Sequence, residues 1–153
     1  MFAKIKEWLR SNSIDFREVH HEPAKTSEES AKARGEDLSI GGKALVLKID
    51  NSFGIFIFNA AKKLNSSAVK KHFSAKKLRF ATKEELMELT GLVPGSVPPF
   101  GKPILDLKLF VDKSIANNEK IAFNAGSLTD SIIMSTKDYL QIAKPKMFSF
   151  SKE

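Results

Sequence analysis

Two stretches carry the groups that chemistry could use. The first is Gly41-Gly42-Lys43, ahead of the apolar run Ala44-Leu45-Val46-Leu47-Lys48-Ile49. A lysine at the lip of a core strand can point into a cleft, where its ammonium is a fixed charge for a developing oxyanion. A solvated lysine at a strand end is the plainer alternative, and the residue types alone leave both open. The second stretch is Thr90 to Gly101, TGLVPGSVPPFG. Gly91, Gly95 and Gly101 permit positive φ or close approach of another molecule. Pro94, Pro98 and Pro99 fix their own φ and extend the residues before them. Ordering a backbone residue costs roughly 1–2 kcal/mol, and proline lowers that cost by restricting the unfolded chain. The stretch is therefore stiff and apolar, either a structural turn or the wall of a site.

Other catalytic candidates are few. His20 and His21 are adjacent, and neighbours on a strand point to opposite faces, so they are not spaced for one metal. His72 sits in a basic segment. The chain has no cysteine, which excludes disulfides, thiolate nucleophiles and cysteine-based zinc sites. No G-x-S-x-G, H-E-x-x-H or Walker sequence occurs.

The elements that must hold these groups can be read from periodicity. Phe2, Ile5, Trp8 and Leu9 recur at helical spacing and predict a short amphipathic helix with Trp8 turned to the core. Ile14, Phe16 and Val19 suggest a strand running into His20-His21-Glu22-Pro23. Thr26, with Glu29 three residues on, opens a second helix that Gly35 ends. Lys43 to Asp50 is apolar on both faces and reads as a central strand. Asn51-Ser52 turns it into a hairpin with Phe53 to Asn59. Ser66 and Ser67 precede a helix carrying Ala68, Val69 and Phe73, and Leu78 to Phe80 is a short strand. Thr82 and Glu85 form a capping box for a helix that ends at Gly91. Pro103 to Val111, Ile121 to Asn124 and Ser131 to Met134 read as strands. Thr136 caps a last helix, Lys137 to Ile142, and Phe148 and Phe150 suggest an edge strand. About seven strands and four or five helices result, with hairpins dominant, which favours α+β with a mixed, mostly antiparallel sheet over a doubly wound fold.

The chain has 153 residues, 42% of them hydrophobic, enough for one domain over residues 1–153 with a sizeable core. The N-terminus lacks the apolar core of a signal peptide, and the most apolar run, Phe53 to Ala61, is too short to span a membrane. A cytoplasmic protein with no membrane partner is expected. The formal net charge is +7, which favours a polyanionic partner. Lys62, Lys63, Lys70, Lys71, Lys76, Lys77 and Arg79 form a basic run that either tracks phosphates or is a solvated face.

The succession HEPAKTSEESAKARG, GGKALVLKI, RFATKEELMELTGLVPGSVPPFG and FNAGS resembles the YbaK/ProX family of aminoacyl-tRNA editing domains, the domain also inserted in bacterial prolyl-tRNA synthetases. The resemblance runs from about Val19 to Leu140. It implies an α+β fold with a barrel-like sheet and surrounding helices. It implies hydrolysis of the ester joining a wrong amino acid to the 3′ end of a tRNA, with no cofactor and no metal. It implies tRNA as partner, and a synthetase as a second one. The family's lysine falls on Lys43, and its glycine–proline loop on Gly95 to Pro99. Its H-x-P-x-x-T helix entry falls on His21, Pro23 and Thr26, and its glycine turn on Gly126 with Ser127 beside it. The substrate-binding set expected from this is His21, Thr26, Gly95, Ser96, Val97, Pro98, Pro99, Phe100, Gly101, Gly126 and Ser127, with Lys43 catalytic. Some subfamilies carry a histidine near the last turn; this chain has none there. A non-catalytic module that holds tRNA or a small molecule beside a synthetase would use the same pocket, as would a hydrolase of small esters.

Overall fold

A computed structural model describes residues 1–24 and 26–153. Helix α1 spans Phe2–Ser11, strand β1 Phe16–His20 and helix α2 Ser27–Arg34. The hairpin follows as β2 (Gly42–Ile49) and β3 (Ser52–Asn59), then β4 (Lys63–Leu64), α3 (Ser66–Phe73), β5 (Leu78–Phe80) and α4 (Lys83–Thr90). The C-terminal part holds β6 (Lys108–Asp112), β7 (Lys120–Asn124), β8 (Asp130–Ser135), α5 (Thr136–Ala143), β9 (Lys146–Phe148) and β10 (Ser151–Lys152).

The strands divide among three sheets, in the orders β1-β8-β7, β10-β4 and β5-β2-β3-β6-β9. Antiparallel pairs predominate; β3–β6 and β6–β9 are parallel. The α+β, mixed and mostly antiparallel character expected from the pattern is what forms. Among the described residues no sheet closes on itself.

Strand β2 lies inside the large sheet between β5 and β3, as its two apolar faces imply, and β3 is the middle strand. Its run Ile55-Phe56-Ile57-Phe58 is buried throughout, because alternate residues serve two cores. Ile55 and Ile57 join Ile5, Leu9, Phe100, Phe123, Ile132 and Tyr139 in one cluster. Phe56 and Phe58 join Leu47, Val69, Phe110 and Phe150 in the other, under α3. Strand β2 is paired by β5 only over Leu47–Ile49, and the Val46 carbonyl accepts from the Ala81 N–H, so its first half, Gly42 to Leu45, has an outer edge that β5 does not cover. Trp8 is half-buried, edge-on to Phe100 with ring centroids 5.2 Å apart.

Helix ends follow local chemistry, with corrections. Thr26 accepts from the Glu29 N–H at 3.1 Å, and Gly35 closes α2 at φ 69°. Thr82 and Glu85 make a reciprocal capping box on α4. Asn65 caps α3, and Ser66 and Ser67, expected to precede the helix, are its first two residues. Ser135, not Thr136, caps α5, with Thr136 as its first residue. The strand expected from Pro103 begins only at Lys108. Instead, Ile104 and Leu105 both donate their N–H to the Gly101 carbonyl (2.9 and 3.0 Å), so residues 103–107 turn before they can pair.

Candidate active site

Gly41 and Gly42 let β2 start tightly against its neighbours. A Cβ at Gly42 would lie 2.8 Å from Ile121 Cδ1, so a side chain there would push β2 away from β7. The next residue, Lys43, pairs with Phe58 and is exposed. Its ammonium forms no ion pair among the described residues.

Lys43 stands at a cleft of about 170 Å³. One wall is the α2 face built from Ser27, Ser30 and Arg34, with the N-cap Thr26 above it. That spacing puts the three side chains on one helical stripe. The floor is β2 from Gly42 to Leu45, and the facing wall is Gly95 and Val97 with Asn124. The helix N-terminus adds partial positive charge beside the Lys43 ammonium. The cleft is thus small, with the cations of Lys43 and Arg34 and the hydroxyls of α2 on its lining, and Gly95, Val97 and the Asn124 amide facing them. A larger, open hollow of about 1230 Å³ lies elsewhere, against Trp8, Phe53, Lys102 and Ile142. It contains neither Lys43 nor the α2 N-terminus, so size alone does not mark the site.

Of the residues anticipated from sequence, Lys43, Thr26, Gly95 and Val97 meet at this cleft. His21 stands behind it. Its Nδ1 donates to the Glu22 carbonyl at 2.8 Å, and its Nε2 lies 2.8 Å from Ser131 Oγ. Ser96 is buried and donates to the Val93 carbonyl at 2.8 Å. Pro98, Pro99, Phe100 and Gly101 are buried and carry the loop into the core. Gly126 adopts φ 80° and packs against Met1, while Ser127 Oγ bonds to Thr129. Neither Gly126 nor Ser127 lines the cleft. Lys25, inside the helix-entry motif, lies outside the described residues.

Arg34 and Asn124 are among the lining residues that were not anticipated. Arg34 is 8% exposed; burial pulls its guanidinium down to about 10, still charged at neutral pH. Its Nε donates to Ser131 Oγ at 2.9 Å and its Nη2 to Asn124 Oδ1 at 3.0 Å. Asn124 Nδ2 in turn donates to the Gly95 carbonyl at 2.6 Å. The spacing of Ser27, Ser30 and Arg34 was the available signal, since a helix with a polar stripe and a buried arginine needs a polar destination. The loop's far end is held separately: Tyr139 Oη donates to the Pro99 carbonyl at 2.7 Å, and Phe100 is fully buried against Trp8, Phe123 and Tyr139.

Known proteins resemble this chain in sequence and in fold. The family model for the aminoacyl-tRNA editing domain matches residues 21–142. The chain is 37% identical over 150 residues to the multifunctional Ser/Thr-tRNA deacylase ProXp-y of Escherichia coli K12, covering 94% of this chain and 89% of that protein. It is 36% identical over 102 residues to the proline–tRNA ligase of Shouchella clausii, covering 67% of this chain and 18% of that enzyme. A crystal structure of a candidate trans-editing enzyme for prolyl tRNA synthetase superposes with a TM-score of 0.84 at 21% identity, covering 99% of this chain and 97% of that one. With more than three quarters of its length matched by the family model and a curated relative aligned along nearly all of it, the chain belongs to the aminoacyl-tRNA editing domain family.

Proposed function

We propose that the protein is a trans-editing aminoacyl-tRNA deacylase that hydrolyses the ester of a mischarged tRNA, with the cleft at Lys43 as its active site. The observation that carries this is the meeting of Lys43, the α2 N-terminus and the Gly95–Val97 backbone around a space of about 170 Å³, in a chain 37% identical to a named tRNA deacylase.

An aminoacyl ester is already activated, so hydrolysis needs no protein nucleophile. The absence of cysteine is no obstacle to such a route. In the proposed mechanism the loop backbone holds the ester carbonyl and terminal ribose. Lys43 stabilises negative charge on the carbonyl oxygen as water adds. The free hydroxyl of the terminal ribose orients that water. The ester C–O bond then breaks, the ribose oxygen takes one of the water's protons, the other passes to solvent, and the amino acid leaves as a carboxylate. Pre-set loop dipoles need little rearrangement in the transition state.

The first substrates to consider are seryl and threonyl esters. The E. coli relative is named for them, and here the Ser27 and Ser30 hydroxyls line the cleft and offer hydrogen bonds to a small hydroxylated side chain. A site built to bond a hydroxyl rejects an analogue lacking it by far more than a methylene difference allows. The test is a panel of tRNAs charged with Ser, Thr, Ala and Cys, following loss of the ester with time. Turnover of Ser- or Thr-tRNA is expected. No hydrolysis of any member, or protection of the esters, would overturn the proposal in favour of a binding module.

A further inference from the structure

A buried cation ordinarily sits beside a carboxylate. Among the described residues Arg34 has none: it forms no ion pair, and its bonds go to the neutral oxygens of Ser131 and Asn124. Such a group is costly to bury and adds little stability of its own. What it does achieve is directional. A guanidinium only donates, so Asn124 must turn its oxygen to Arg34 and its amide nitrogen the other way. There the nitrogen meets the Gly95 carbonyl at 2.6 Å.

Gly95 is at φ 89°, a conformation that an L side chain rarely adopts. The Ser96 N–H that follows donates to the Val93 carbonyl at 3.1 Å. The Gly95–Ser96 peptide is therefore held from both sides, its oxygen by Asn124 and its N–H by Val93. The next N–H belongs to Val97, a cleft-lining residue, and it meets no acceptor among the described residues. Pro98 and Pro99 have no N–H to offer. Ser131 completes the arrangement: it accepts from Arg34 Nε, and its single proton is shared between His21 Nε2 at 2.8 Å and Asn124 Oδ1 at 3.2 Å.

We infer that Arg34, acting through Asn124, is a positioning residue that fixes the Gly95–Ser96 peptide and so presents the Val97 N–H to the carbonyl oxygen of the bound ester. This rests on the deacylase reading above. It gives the developing oxyanion a backbone donor besides Lys43, and it makes the loop's geometry depend on a side chain from α2.

The experiment compares Arg34→Gln, Asn124→Ala and the double variant with the wild type, in steady-state hydrolysis and in amide 1H–15N spectra of the free proteins. Each single variant should lower kcat by about a hundredfold, the scale expected for a misplaced group, with KM little changed. The double variant should be no worse than Asn124→Ala, since both break one strut. The Gly95, Ser96 and Val97 amide resonances should move while those of Ala122 and Ile133 in β7 and β8 stay. Unmoved loop amides, undiminished kcat, a loss carried by KM, or additive single effects would each overturn the inference. If Arg34→Gln does not fold, Asn124→Ala, which keeps the guanidinium, decides by the same criteria. A wild type inactive on every mischarged tRNA would overturn the deacylase reading instead, and the spectra would still decide whether the strut exists.

Discussion

Lys43 stands exposed at the mouth of the cleft, so removing its ammonium takes away charge without opening a cavity. Lys43→Ala should lower kcat/KM by about a hundredfold or more, as loss of an oxyanion-stabilising group does. Stability should move by less than about 0.5 kcal/mol, as for other surface changes. An active variant on the tRNA panel would remove Lys43 from the mechanism. Asp112 is the opposite kind of residue, 2% exposed and structural. Its carboxylate accepts from the N–H groups of Ser114, Phe150 and Ser151 and from both serine hydroxyls. Burial works to raise its pKa, but these bonds outweigh burial and hold the carboxyl below its ordinary value. A folded value below the unfolded one, about 3.9, means that the contribution is complete above that pH and is lost as pH falls through the folded value. Asp112→Asn should cost about 2 kcal/mol in urea unfolding at pH 7, and the gap from wild type should narrow below about pH 4. A gap independent of pH would show that the charge is not what clasps the C-terminus. Lys43 and Thr26 were visible in the sequence because each has a local signature, a glycine pair before a strand and a capping position. Arg34 showed only as part of a polar stripe on α2 and Asn124 had no local signature, because each matters through a partner about 90 residues away.

The Gly95–Gly101 loop behaves as an element with two anchors. Asn124 holds Gly95, and Tyr139 holds Pro99. Burial raises the Tyr139 hydroxyl far above its ordinary pKa, so it remains a donor at any working pH. Tyr139→Phe leaves the Pro99 carbonyl without that donor and should cost about 1–3 kcal/mol in a denaturation series; an unchanged midpoint would mean that Phe100 packing alone seats the loop. Gly95→Ala forces an L residue to φ 89°, a strain of about 1–3 kcal/mol, and should depress hydrolysis far more than that loss of folding free energy explains. A purely proportional loss would make the loop a turn and nothing more. The stiffness of this loop was legible, since its prolines and glycines are local features. Its seating was not, because proline content says nothing of which carbonyl meets which side chain. The same limit explains the strand wrongly begun at Pro103: Ile104-Leu105 is apolar enough for a strand, but the Gly101 carbonyl captures both N–H groups first. Strand β2, apolar on both faces, does lie inside the sheet between β5 and β3. Half of its outer edge is left open by β5, and that open edge is the floor of the cleft.

At the scale of the whole molecule, the +7 charge acquires a direction from the sheet. Cross-strand partners point to the same face, so Lys43, opposite Phe58, and Leu45, opposite Phe56, share the face that packs beneath α3. Helix α3 carries Lys70 and Lys71 exposed, and neither forms an ion pair among the described residues. Lys62 and Arg79 of the same basic run are instead committed to Glu153 and Glu85. A tRNA whose 3′ end enters at Lys43 would then run its backbone past α3, where two free lysines can displace counterions. Each phosphate neutralised contributes about 0.7–0.9 to the slope of log affinity against log salt. Lys70→Gln/Lys71→Gln should therefore weaken tRNA binding at low salt and flatten that slope by about 1.4–1.8. Hydrolysis of a short aminoacylated 3′-end minihelix that does not reach α3 should continue unchanged. Equal slopes for wild type and double variant, measured by filter binding across a salt series, would place the tRNA body on another face of the protein. The +7 balance would then be a property of its solubility rather than of its substrate path.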